Sequence, residues 1–241
     1  MEALSRDFIE YLAEQHLLHY YGTQTLPLKA LDVRRFAEDY MKLDVRYCQL
    51  LYPESAQKII GVTAYAETRL NLNPDNPDDF IRIDKDMVLL DNSLSDNKNL
   101  GRRNFTLAHE CGHQAIYLLD PEFFSDKACC RTANGTYTLS RLFTENDWCE
   151  WQANTFASAL LLPEYTLRYM LYLLGKNDPF SLYPCNRLLG KDYQLARELA
   201  AFFHVSLTAV ILRLKKLNMT KECTFAEYLE QYKRCLLLSG R

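Results

Sequence analysis

The chain has 241 residues, 48% hydrophobic and 24% charged, with a formal net charge of −3. That is the composition of an ordinary folded protein with one sizeable core, and only 8 Gly and 8 Pro argue against long disordered tracts. A weakly acidic balance argues against a dedicated nucleic-acid binder, whose affinity comes from neutralising phosphates, and no run approaches the roughly 20 apolar residues that span a bilayer.

The first residues, MEALSRDFIEYLAEQHLLHYYG, carry no basic start and no apolar core of signal-peptide type, so a cytoplasmic chain is expected. Reduced thiols are then the default for its 8 cysteines, which form no CxxC pair. The spacing predicts a helix over 2–20 with Leu4, Phe8, Ile9 and Leu12 on its apolar side, closed by Gly22. A second helix is expected over about 28–42, with Val33, Phe36, Ala37 and Tyr40 on one face. Segments 44–51, 59–72 and 81–90 are rich in Val, Ile, Tyr and Thr and predict strands of a small, mostly antiparallel sheet. The polar stretch DNSLSDNKNLG leads into a helix over about 104–119. A polar, irregular connection of roughly 25 residues follows, a length usually reserved for functional or mobile loops. A further helix runs over about 145–162, capped by Thr144 and ended by Pro163, and short helices continue from there. Thr224 with Glu227 reads as a capping box for the last one.

The chemistry is concentrated in His109-Glu110-Cys111-Gly112-His113. Residues four apart lie one turn apart on nearly the same helix face, so His109 and His113 can both present a ring nitrogen to one ion. Zinc takes neutral imidazole readily, and a catalytic zinc keeps three protein ligands and one open position. Glu110, rotated by about 100° from His109, can reach a zinc-bound water without being a ligand. Phe105, Ala108, Cys111 and Ala115 form an apolar stripe that pins the histidine face toward a cleft. Gly112 is poor for helix stability and is read as a point of close backbone approach.

The third ligand must come from elsewhere, because Ile116 and Leu119 occupy the places where a metzincin needs Gly and His. The helix over 145–162 offers Glu150, with Asn154 one turn later as a partner for a histidine N–H. Asp147 and Glu145 compete for the ligand role, but both stand in the first turn, where capping accounts for them.

The stretches RRNFTLAHECGH and EWQANTFASALLLP resemble the ImmA/IrrE family of zinc metallopeptidases, and the resemblance extends over about residues 27–217. It matches His109, His113 and Glu150 to the zinc ligands and Glu110 to the catalytic acid, with Cys111 where Leu is common. It implies an α+β fold: a zincin-like core with a small, mostly antiparallel sheet and the HExxH helix, followed by a helical C-terminal region. The expected division is an N-terminal helix over 1–26, a core over 27–172 and a partly helix-turn-helix region over 173–241. Zn2+ is the expected cofactor, with Mn2+ as a substitute. The resemblance further implies a narrow protein substrate, a helix-turn-helix repressor cut at one site in stress-response or mobile-element regulation.

Two other readings compete. Residues 194–217 have helix–turn–helix texture, with Thr208, Arg213, Lys215 and Lys216 as candidate DNA contacts and His204 at the turn. The apolar Val210, Ile211, Leu212 and Leu214 dominate that second helix, which favours a packing or partner-docking unit over direct nucleic-acid binding. A zinc-bearing sensor without protease activity is the remaining alternative. Tyr137 is one candidate among 16 tyrosines for steadying an oxyanion.

Overall fold

The computed structural model describes residues 4–50, 59–71, 76, 78, 80–121, 128–132 and 144–239. The chain divides into two compact units, Met1–Leu26 with Leu31–Leu161, and Pro27–Ala30 with Leu162–Arg241. Both mix helices with small sheets, so the fold is α+β.

In the first unit, α1 spans Arg6–Tyr21. Ser5 caps it by accepting a hydrogen bond from the Phe8 N–H, and Gly22 ends it in the left-handed region at φ 64°, where a Cβ would cost energy. Its buried ridge is Ile9, Ala13 and Leu17, at strict i, i+4 spacing. Phe8, expected on that ridge, is exposed, because it lies about 100° around the helix from Ile9. The expected helix over 28–42 shortens to α2, Val33–Arg35, capped by Asp32 and continued by a π-helical turn over Phe36–Tyr40. Val33, Phe36 and Ala37 are its buried residues, as the spacing predicts.

The main sheet has four strands in the order β1 (Asp44–Cys48), β5 (Met87–Asp91), β2 (Ile59–Ala64), β6 (Ala128–Thr132). The β5–β2 and β2–β6 pairings are antiparallel, and β1–β5 is parallel. β3 (Thr68–Asn71) and β4 (Phe80–Ile83) form a separate antiparallel pair. The strand β6 corrects the expectation of an irregular connection after the histidine helix: part of it joins the sheet edge, with Cys130 opposite Val62 and Cys129 opposite Thr63. One side of the sheet packs Val62, Ala64, Met87 and Leu89 with Leu50 and Ile83 into an apolar cluster.

α3 (Leu100–Tyr117) and α4 (Glu145–Leu161) complete this unit. Every residue of α3 from Thr106 to Tyr117 is buried. Such a helix packs on several sides at once, and three stripes separate its neighbours. Thr106, Glu110 and Gln114 follow one another at i+4. At one end of the stripe Gln114 donates from Nε2 to Thr63 Oγ1 at 2.6 Å and to the Ala64 carbonyl at 3.1 Å, both on β2. Thr63 Oγ1 in turn donates a hydrogen bond to the Met87 carbonyl at 3.2 Å, extending the chain to β5. Gly112 faces α4: a Cβ there would lie 3.0–3.2 Å from the Ala153 backbone and Phe156 Cβ. The close approach read from Gly112 is therefore real, and the small Ala153 supplies the other half of it. The third stripe is His109 with His113.

The second unit holds α5 (Glu164–Leu173), α6 (Gly190–Phe202), α7 (Leu207–Lys216) and α8 (Phe225–Ser239), with β7 (Phe180–Leu182) paired in parallel to β8 (Thr220–Glu222). The expected capping box is present: Thr224 and Glu227 exchange hydrogen bonds at 2.6 and 3.3 Å. α6 and α7 meet at 107° across a four-residue turn, in which His204 takes a left-handed φ of 53°. Arg213, expected among the outward contacts of α7, is instead buried and donates from Nε to the Leu162 carbonyl at 2.9 Å. A guanidinium spent on a helix-end carbonyl cannot read a base edge.

Candidate metal centre

α3 brings the Nε2 atoms of His109 and His113 to 3.0 Å from one another. Glu150, in the second turn of α4, places Oε2 3.3 Å from His109 Nε2 and Oε1 3.2 Å from His113 Nε2. All three side chains are at most 2% exposed. The helix pair meets closely here because Gly112 and Ala153 carry no bulk between the axes.

The separations fit a bound ion. Donor atoms held at zinc's ordinary 2.0–2.1 Å in a tetrahedron sit roughly 3.3 Å apart, and those observed lie between 3.0 and 3.3 Å. The donor set points the same way: two imidazole nitrogens and a carboxylate are the ligands a borderline divalent ion takes. Burying a carboxylate without compensation is costly. Burial by itself pushes the Glu150 pKa up, yet the two imidazoles override it and hold the carboxyl far below the usual range. Glu150 is therefore held as an anion by the two histidines. His109, His113 and Glu150 form a group able to hold a metal ion among the described residues.

Glu110 stands on the same helix, fully buried, one residue from His109. Asn154 is half-buried on α4, one turn after Glu150. Cys111 is fully buried, and burial, then the neighbouring Glu110, drives its thiol pKa far up, so it behaves as a small core residue. The competing ligand Asp147 is engaged in capping: its carboxylate accepts from Thr144 N–H at 3.0 Å and Oγ1 at 2.8 Å, while its own N–H donates to Thr144 Oγ1. Glu145 opens α4 in the same turn. Tyr137 lies outside the described residues.

Two residues at the contact of this helix with β2 escape a reading of the sequence alone. Gln114, one residue past the second histidine, ties α3 to β2. Gly61 of β2 lies against Glu110: a Cβ there would stand 2.5 Å from Glu110 Oε1. A lone glycine inside an apolar strand is the only sequence signal of such an approach, and it does not name its partner.

The family model of the M78 peptidases, described as the IrrE N-terminal-like domain, matches residues 93–215, just over half of the 241-residue chain. The match includes both helices of the cluster. The chain belongs to this family of peptidases. No curated protein matches it. Among solved structures it is similar to one described as a Mycobacterium tuberculosis transcriptional regulator, at 16% identity and a TM-score of 0.43. That similarity covers 85% of this chain, which spans 45% of the other.

Proposed function

We propose that the chain is a zinc-dependent metalloendopeptidase of zincin type, with His109, His113 and Glu150 as the metal ligands and Glu110 as the proton acceptor. The observation that carries this reading is the convergence of those three side chains within 3.3 Å, next to a buried glutamate on the same helix. When bound, the ion supplies Lewis-acid polarisation of the scissile carbonyl and of the attacking water. Glu110 takes a proton from that water and returns it to the leaving amine as the C–N bond breaks. Glu150 would hold the ion together with the two imidazoles and add one negative charge beside it. Asn154 steadies a ligand imidazole by accepting its other N–H. The substrate class that accompanies the family resemblance is a helix-turn-helix repressor cut at one site in the cytoplasm.

The test is a Glu110→Gln variant assayed beside the parent with zinc or manganese and a candidate repressor as substrate. A single cut by the parent, lost by at least ~100-fold in a variant that keeps its metal, is the expected result. Full turnover by the variant overturns the mechanism, and no cleavage by the metal-loaded parent counts against the substrate.

A regulatory, DNA-binding reading draws on the 107° angle between α6 and α7, which suits a helix-turn-helix. Against it, Arg213 is buried and Lys215 pairs with Glu222 at 3.4 Å. A salt-dependent gel shift with duplex DNA separates the two readings.

A further inference from the structure

Gly61 sits in the middle of a fully buried strand, and its φ is not in the left-handed region that only glycine favours. A glycine at such a place weakens a strand, because it packs nothing and releases more entropy on unfolding. What its missing side chain leaves room for is specific. A Cβ at Gly61 would lie 2.5 Å from Glu110 Oε1, 3.3 Å from Glu110 Cδ and 2.7 Å from Thr106 Cγ2. Two of these are shorter than Cβ contacts in folded proteins, so a methyl there would have to displace the side-chain ends of Glu110 and Thr106. The register of β2 against β6 shifts between Ile59 and Gly61, an irregularity that re-aims a strand locally. Thr106 and Glu110 stand one turn apart on α3, so both meet the strand at this one residue.

We propose that Gly61 is a positioning residue for Glu110: the bare backbone of β2 seats the carboxylate, the Thr106 methyl walls it on one side, and a single Glu110 rotamer is held. The catalytic consequence rests on Glu110 acting as the proton acceptor, but the seating itself does not. The seat explains how a carboxylate with three rotatable bonds stays in register within a buried site, where 1 Å of misplacement is costly to rate. It also distinguishes Gly61 from Gly112, which sets the distance between two helices.

The experiment is a cycle of thermal unfolding on the metal-free full chain: parent, Gly61→Ala, Glu110→Ala and the double variant, with Thr106→Ser added to the double variant. Overpacking at a buried site lowers the midpoint by roughly 5 °C in a protein of this size. Truncating Glu110 is expected to restore at least half of that drop, and Thr106→Ser the rest. If Gly61→Ala alone does not accumulate folded, a folded double variant is the same rescue. A drop that persists in full after both truncations overturns the seat and assigns Gly61 to the strand alone. A second measurement reads Co2+ affinity: Gly61→Ala is expected to stay within about threefold of the parent, while a loss like that of a missing ligand overturns a role confined to Glu110. Neither readout needs a substrate, so failure of the peptidase reading and failure of the seat are told apart.

Discussion

Glu150 is the residue on which the centre turns. It is the only carboxylate among the proposed ligands, it comes from a different helix from the histidines, and it is 1% exposed. Replacing it by alanine leaves two imidazoles of the three-residue group. Glu150→Ala is expected to abolish stoichiometric metal binding, read by elemental analysis after desalting. Retained zinc at parental affinity would remove it from the ligand set. Asn154→Ala should act more gently, weakening metal affinity by about 10–100-fold if it orients an imidazole. An Asn154 variant with parental affinity would return this residue to the role of a half-buried amide.

The elements around α3 hold that geometry by complementary bareness and hydrogen bonding. Gly112→Ala puts a methyl 3.0–3.2 Å from Ala153 and Phe156, which wedges α3 from α4. A cost of about 1–3 kcal/mol is expected, together with weaker metal binding, because the wedge moves Glu150 away from the histidines. Calorimetry on apo and loaded variant reads both. On the opposite stripe, Gln114→Leu removes the donor to the buried Thr63 hydroxyl and the Ala64 carbonyl, for roughly 1–3 kcal/mol.

His16 pins α1 in the same unit: its Nδ1 lies 3.1 Å from the Tyr40 hydroxyl, and its ring meets Phe36, Tyr40 and Phe156 edge-on. Burial, and then the charge of His19, lowers its pKa below 6.5. The unfolded chain therefore takes up the proton first. The stability that His16 contributes is complete above about pH 6.5 and is lost as the pH falls from there toward its folded value. Denaturant titrations at pH 7.5 and 5.5 should show a smaller fall in a His16→Gln variant than in the parent. An equal fall would place the acid sensitivity elsewhere.

For the whole molecule, the legible part of the sequence was what lies within one helix. The 3.6-residue period puts His109 beside His113 wherever that helix sits, and it makes Glu150 available one turn inside α4. Caps at Thr144 and Thr224 are local chemistry and could be read directly. What required the fold was each fact set by two distant segments. The parallel pairing of β1 with β5 leaves no trace in either strand's pattern. β6 is five residues inside a polar stretch, too short for alternation to stand out. Arg213 looks like an outward cation until the carbonyl of Leu162 is placed beside it. Gly61 and Gln114 carry no chemistry of their own, and only the packing of α3 on β2 gives them a role.

The burial of α3 on all sides has a kinetic consequence. Because the donor atoms of His109, His113 and Glu150 are buried, a chelator, like a peptide substrate, is expected to reach a bound ion only when the site opens. Release must wait for α3 and α4 to part, a local opening with its own free energy. Loss of metal to excess chelator should then proceed at a rate independent of chelator concentration, and Gly112→Ala, which props the helices apart, should speed it. The centre would hold its ion by the slowness of a hinge as much as by affinity.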